Sequence, residues 1–279
     1  MSKFLQLTPF QNVVASGIAQ CDLRNLLGYT INRLTLRLGG GALTKAMLTL
    51  IQLKANGKVI WESTGSRTDT RMQYRGITAS AAFLTLDFCE IKAKTRAAML
   101  AGAIDTTIGI RDLRLEVTIA GATTPTLDGI AEVTDPQLQA GMAGIRPLIA
   151  RCHAVTQSIG AAGTFPLIVP HLDPVAGGSI FKRINIFSAN ATGARVERNG
   201  VREFDVASVA QNNQLVNEYG RVSQASFMPL DFMLDGFIES GVMDTRPAAQ
   251  CQTAQVFGTF SGAETITIEV ETLEPLDVY

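Results

Sequence analysis

Several residue types are scarce in this 279-residue chain, and each scarcity excludes something. There are two histidines, His153 and His171, and no His-x-His pair. A cupin-type metal enzyme needs a close histidine pair with a carboxylate, so that reading of a duplicated barrel has no ligands. The two read more simply as structural or loop histidines than as a metal or acid–base pair. Four cysteines, Cys21, Cys89, Cys152 and Cys251, are far apart in sequence and form no C-x-x-C. That excludes a zinc ribbon and a dense disulfide framework, and it suits synthesis in a reducing cytosol. Charged residues are only 18% of the chain, and 24 Lys and Arg against 25 Asp and Glu give a net charge of −1. A protein that grips phosphate backbones is usually basic, so no direct nucleic-acid contact is expected. One Trp and four Tyr are few for sugar-stacking platforms. The longest charge-free stretch, Cys152 to Leu172, is broken by Gly160, Gly163, Pro166 and Pro170, which excludes a spanning helix. The start, Met1 to Pro9, lacks the pattern of a secretory signal.

What is abundant is apolar: 46% of residues, ample for a sizeable core. The pattern is mostly that of strands. Leu34, Leu36 and Leu38 alternate with Arg33, Thr35 and Arg37. Met47 to Leu53 leads into Asn56-Gly57 and then Lys58 to Trp61, and Arg195 to Phe204 contains a second Asn199-Gly200. Asn-Gly between strand-like runs predicts a type I′ hairpin, because that turn needs positive φ twice. Further strands are expected at Phe83 to Phe88, Leu113 to Ile119, Ile180 to Phe187, Phe227 to Leu234 and Thr265 to Thr272. Short helices are expected over Val206 to Glu218, capped by Asp205, and over Thr95 to Ala103.

The sequence also repeats itself. Phe83-Leu-Thr-Leu86-Asp87-Phe88 matches Phe227-Met-Pro-Leu230-Asp231-Phe232 as F-x-x-L-D-F, displaced by 144 residues. Asn56-Gly57 matches Asn199-Gly200 at 143. Tyr74-Arg75-Gly76 corresponds loosely to Tyr219-Gly220-Arg221 at 145, and Leu115-Glu-Val117 to Ile268-Glu-Val270 at 153. A displacement near half the chain means tandem duplication, not a short-period solenoid. Asp128 to Pro147 is rich in Gly, Pro, Ala and Gln, which is linker chemistry. The expected division is 1–134, a linker 135–147, and 148–279. The fold class is then all-β: two tandem eight-stranded jelly rolls with short helices in the connections. Leu84, Leu86 and Phe88 should face inward, as should Met228, Leu230 and Phe232. Pro229 requires its strand to lie near an edge or at a bulge.

At Leu215-Val-Asn-Glu-Tyr219-Gly220-Arg221, followed by Leu230-Asp231-Phe232-Met-Leu-Asp-Gly236, the chain resembles the double jelly-roll major capsid proteins of tailless, membrane-containing bacterial viruses, most of all the corticovirus type. The local match covers about 20 residues; element order and length extend the likeness to the whole chain. The resemblance implies homotrimers whose six jelly rolls make a pseudo-hexagonal capsomer. It implies neighbouring capsomers in an icosahedral shell, penton and minor capsid or membrane proteins, and an internal lipid membrane. It implies no catalysis. Calcium at capsomer contacts is implied without ligand positions, and no other cofactor is expected.

Other features read plainly. Asp231, Asp235 and Glu239 stand four apart, but Asp231 lies in a strand-like run where that spacing gathers no cation site. Asp87 and Asp231 recur in both repeats and are expected to bond loop backbone. Lys92 to Arg96 is a small basic cluster, read as a solvated face with lipid headgroups as the alternative. Gly258 to Gly262 is not G-x-S-x-G, and no phosphate-binding glycine loop is present. The competing function is a two-domain β-sandwich that binds carbohydrate or a receptor.

Overall fold

In the computed structural model, described for residues 2–40, 43–90, 92–107, 109–136 and 148–275, strands dominate both halves. The first half contains β1 (Lys3–Gln6), β2 (Gly17–Asp22), β3 (Thr30–Gly39), β4 (Leu48–Ala55) and β5 (Lys58–Ser63). Helix α1 (Gly65–Tyr74) follows, then β6 (Phe83–Asp87), α2 (Arg96–Leu100), β7 (Ile104–Asp105), β8 (Leu113–Ile119) and β9 (Thr126–Thr134). The second half contains β10 (Leu148–Ile159), β11 (Gly163–Pro166), β12 (Ile180–Phe187), β13 (Ala191–Arg198) and β14 (Val201–Val206). After these come α3 (Val209–Glu218), β15 (Phe227–Asp231), α4 (Ile238–Gly241), β16 (Met243–Asp244), β17 (Ala254–Phe260) and β18 (Glu264–Pro275).

The two halves have one topology. In the first, β1-β9-β3-β6 form one sheet, with β7 beside β3, and β5-β4-β8-β2 form its partner. In the second, β10-β18-β12-β15 form one sheet, with β16 beside β12, and β14-β13-β17-β11 form the other. Strand for strand, β1 to β9 correspond to β10 to β18, and α1 and α2 to α3 and α4. Two four-stranded sheets enclosing one apolar core is the double jelly roll expected from the pattern. The halves are joined where β5 meets β10 in parallel at Trp61 and Cys152, so two sheets run on into one of nine strands.

Local chemistry explains the elements. Asn56 and Gly57 have φ of 51° and 80°, and Asn199 and Gly200 have 50° and 76°, so both Asn-Gly turns form the expected hairpins. Each asparagine then does the same second task. Asn56 donates to the Gly109 carbonyl (2.7 Å) and accepts from the Arg111 (2.9 Å) and Asp112 (3.3 Å) amides. Asn199 donates to the Gln250 carbonyl (3.0 Å) and accepts from the Gln252 (2.7 Å) and Thr253 (3.2 Å) amides. Each hairpin tip is thereby fastened to the loop before β8 or β17. Asn199→Ala should cost about 1–2 kcal/mol, from three lost hydrogen bonds and a methyl group held at positive φ. The urea midpoint measures this, and an unchanged midpoint would remove the fastening role.

Leu84, Leu86, Phe88, Met228 and Leu230 are buried as expected, while Phe232 is half-buried against the second core. Pro229 lies in β15, the last strand of its sheet, where a missing N–H is tolerated.

Five expectations need correction. The helix over Val206 to Glu218 begins at Val209, and Ser208 caps it by accepting from the Gln211 amide; Asp205 and Val206 belong to β14. The helix within Thr95 to Ala103 is confined to Arg96–Leu100, capped by Thr95. The repeat after the helices has a strict displacement of 144: Gly76 and Gly220 both take positive φ, at 76° and 74°. Tyr219 is therefore the counterpart of Arg75, and Tyr74 that of Glu218. Leu115 to Val117 lies in β8, whose counterpart is β17, whereas Ile268 to Val270 lies in β18, the counterpart of β9. Asp128 to Thr134, assigned to linker-like sequence, completes β9. The linker residues 137–147 lie outside the described residues.

Candidate functional site

No three metal-capable side chains of His, Cys, Asp or Glu converge among the described residues. His153 and His171 lie with ring centroids 5.2 Å apart. Burial, aided by Arg151, pushes the His153 imidazole down to about 4. The aromatics offer no sugar platform at Trp61 or Tyr74, which are both buried. What distinguishes this molecule is a seam of buried charge between its halves.

The seam is built from the middle of β12, β15 and β18 upward. Along β18 every residue from Ile268 to Glu274 is buried. One face of that strand packs into the second core, and the other carries Glu269 and Glu271 toward the first half. Helix α1 covers them. Thr64 caps it by accepting from the Arg67 amide, and Arg67, Arg71 and the residue after the helix, Arg75, follow at four-residue spacing. Arg67 and Arg71 reach Glu269 at 2.6 and 2.9 Å, and Arg71 also reaches Glu271 at 2.9 Å. The Arg71 guanidinium lies over the Trp61 ring, 4.9 Å from its centroid, and Trp61 meets Phe88 edge-on at 5.2 Å.

Glu90 is the second anchor. It reaches across from the first half to Arg183, whose two terminal nitrogens each donate to it at 2.7 Å. Lys182 lies 2.8 Å and Arg75 3.5 Å from the same carboxylate. Arg183 also meets Asp231 at 3.0 Å and Glu271 at 3.1 Å. Burial works against the Glu90 and Glu271 charges, but the surrounding cations prevail. Glu90 is held well below the usual carboxylate range, and Glu271 is pushed down to about 2. Burial outweighs Arg75 at Asp87, whose carboxyl is raised.

The repeated aspartates combine two roles. Each bonds loop backbone as expected: Asp87 accepts from the Cys89 amide (3.3 Å) and Asp231 from the Met233 amide (2.9 Å). Each also holds buried arginine, Arg75 at Asp87 (2.9 Å), and Arg183 and Arg221 (3.3 Å) at Asp231. Across the seam the Tyr74 hydroxyl donates to Asp231 at 2.9 Å, and its ring packs on Phe227 at 5.5 Å. Of the other repeat residues, Phe83, Tyr219 and Gly220 lie on the surface. Asp235 caps its own loop through the Phe237 amide; the Glu239 side chain lies outside the described residues. In the basic cluster, Lys92 donates to the Gly76 carbonyl at 3.1 Å, and Lys94 lies 5.2 Å from the Phe237 ring centroid.

The seam escaped the sequence reading because its members look like ordinary surface charge. Two signals were present: Arg67, Arg71 and Arg75 at helical spacing, and Glu269-x-Glu271 within a strand whose alternate residues are also apolar.

Comparison with known proteins gives a consistent result. A family model described as viral coat protein P2 N-terminal domain matches residues 4–134. A second, described as viral coat protein P2 C-terminal domain, matches residues 149–276. No curated protein sequence matches the chain. Among solved structures, the major capsid protein P2 from bacteriophage PM2 superposes with a TM-score of 0.83 at 19% identity, over 99% of this chain and 98% of that one. The STIV MCP gives 0.72 at 13%, over 98% and 96%. The Faustovirus major capsid protein gives 0.62 at 7%, over 98% and 90%. At these identities the superpositions establish the double jelly-roll fold, and the two models establish kinship.

Proposed function

The chain belongs to the viral coat protein P2 family, a structural component of the virion shell and not an enzyme, and on that footing we propose that it assembles as pseudo-hexagonal homotrimeric capsomers. These capsomers tile an icosahedral shell around an internal membrane, beside penton and minor capsid or membrane proteins. The first jelly roll spans 1–134 and the second 148–279, with 135–147 between them. The observation that carries the reading is the strand-for-strand identity of the two halves. Two like units in one chain become six like units in a three-fold ring, and near-six-fold blocks cover a surface without large gaps. Lattice contacts between capsomers are individually weak, so misplaced capsomers leave, while their number stabilises the finished shell.

Native mass spectrometry of the purified protein tests this. A stable species at three chain masses is expected, and cryo-electron microscopy of assembled particles should show pseudo-hexagonal units. A monomer at all concentrations, with and without calcium, would overturn the trimer. Glycan screening would then take precedence.

A further inference from the structure

The contact that joins the halves within one chain has a free counterpart on each half. Within the chain, the first half supplies an edge strand, β5, and a helix, α1. The second half receives them on the edge strand β10 and on the outer face of β18, β12 and β15. By the repeat, the second half carries the same two donors, β14 and α3. The first half carries the same receiving surface, β1 with the outer face of β9, β3 and β6. Both β1 and β14 are terminal strands among the described residues.

The receiving face repeats in detail. On β3 and β6, Arg33 pairs in register with Asp87, as Arg183 does with Asp231 on β12 and β15. Arg33 holds Glu132 of β9 at 2.6 Å, as Arg183 holds Glu271 of β18. One position changes. Ile130 of β9 stands where β18 has Glu269, because Glu132 and Ile130 sit opposite Arg33 and Thr35 as Glu271 and Glu269 sit opposite Arg183 and Asn185. On the donor side, the strict displacement of 144 puts Leu215 of α3 where α1 has Arg71. The ion pair Arg71–Glu269 is thus replaced on both sides at once, by leucine and isoleucine. The exposed apolar side chains agree: Phe4 (70%), Phe83 (45%) and Ile130 (39%) share this outer face, and Tyr219 (50%) ends α3.

We propose that a second copy of this chain docks its α3 and β14 on the outer face of β1, β9, β3 and β6, with Leu215 against Ile130. The contact is apolar where its counterpart within the chain is ionic. This assignment rests on the homotrimer reading and adds the face by which copies meet. A heterologous contact of this kind generates a ring when its rotation closes.

The test is cross-linking of the intact protein. Leu215→Cys and Ile130→Cys in one chain, treated with a short bifunctional thiol reagent, should give covalent dimers and trimers on a denaturing gel. The four native cysteines are buried and contribute little background. Val175→Cys with Leu215→Cys is the control, since Val175 is fully exposed outside the assigned face. A second measurement uses charge: Ile130→Glu alone should weaken association about tenfold by burying an unpaired carboxylate, and adding Leu215→Arg should recover most of that loss. A trimer by native mass spectrometry with no cross-link above the control, or with no rescue, would overturn the face. Absence of any trimer would instead overturn the capsomer reading.

Discussion

Arg183→Met should destabilise the protein by about 3–5 kcal/mol, the largest single-residue effect expected outside the apolar cores. The guanidinium is buried and holds three carboxylates, Glu90, Asp231 and Glu271, from two segments of its own half and one of the other. Methionine fills a similar volume, so the cost comes from stranded charge more than from a cavity. Glu90 would retain Lys182 and the more distant Arg75, and Glu271 would retain Arg71; Asp231 would retain Arg221 and the Tyr74 hydroxyl. Arg183→Lys should fall between, because one ammonium cannot reproduce the fork that grips Glu90. The urea midpoint measures the series. Arg37→Met, at an exposed pair with Asp128, is the control and should leave the midpoint nearly unmoved. Equal losses at Arg183 and Arg37 would show that the seam contributes nothing particular.

Acid should loosen the same seam in a defined window. Glu271 titrates at about 2 in the fold against 4.5 as a free side chain. Its carboxyl is depressed, so it contributes stability above pH 4.5, lost as the pH falls toward 2. The shift corresponds to about 3 kcal/mol. Glu90, also held well below the usual carboxylate range by Arg183, Arg75 and Lys182, acts in the same direction. Asp87 acts in the opposite one: its carboxyl is raised by burial, so protonation relieves a penalty and offsets part of the loss. His153 governs an earlier window, from 6.5 down to about 4, where the unfolded chain takes a proton that the folded one refuses. Stability measured by urea from pH 7 to pH 2.5 should therefore fall in two stages. His153→Gln should flatten the first and Glu271→Gln the second. A curve flat below pH 4.5 would contradict the assignment of the seam.

How far the sequence foretold this depends on what each residue had to signal. The hairpins were legible because Asn-Gly answers a backbone requirement that few other pairs meet. The inward faces of β3 and β6 were legible because alternation reports burial directly. Helix α1 went unread because its buried face carries Thr68 and Arg71 beside Met72 and Tyr74, so the usual apolar stripe is missing. β9 was hidden by Asp128, Gly129 and Glu132 on a strand with one solvated face. Glu90, Lys182 and Arg183 resemble any surface charge until the other half of the chain covers them. The duplication was visible, yet two of its four matches were misaligned. Only the left-handed glycines and the strand order set the register.

Tethering gives the buried charge one more consequence. The two halves of a chain meet at the high local concentration that a covalent link imposes, so their contact can carry a heavy desolvation cost and still form. Such a contact is also a poor host for strangers. If α1 of one molecule landed on the β9 face of another, Arg71 would meet Ile130 where Glu269 should stand and keep only Glu132, the counterpart of Glu271, which Arg33 already holds. If α3 landed on β18, Leu215 would leave Glu269 without Arg71. In a crowded cell filling with identical chains, both errors are costly, whereas first half to second half is satisfied at every step. For the ring proposed above, the seam is therefore a sorting rule that keeps the two kinds of unit alternating.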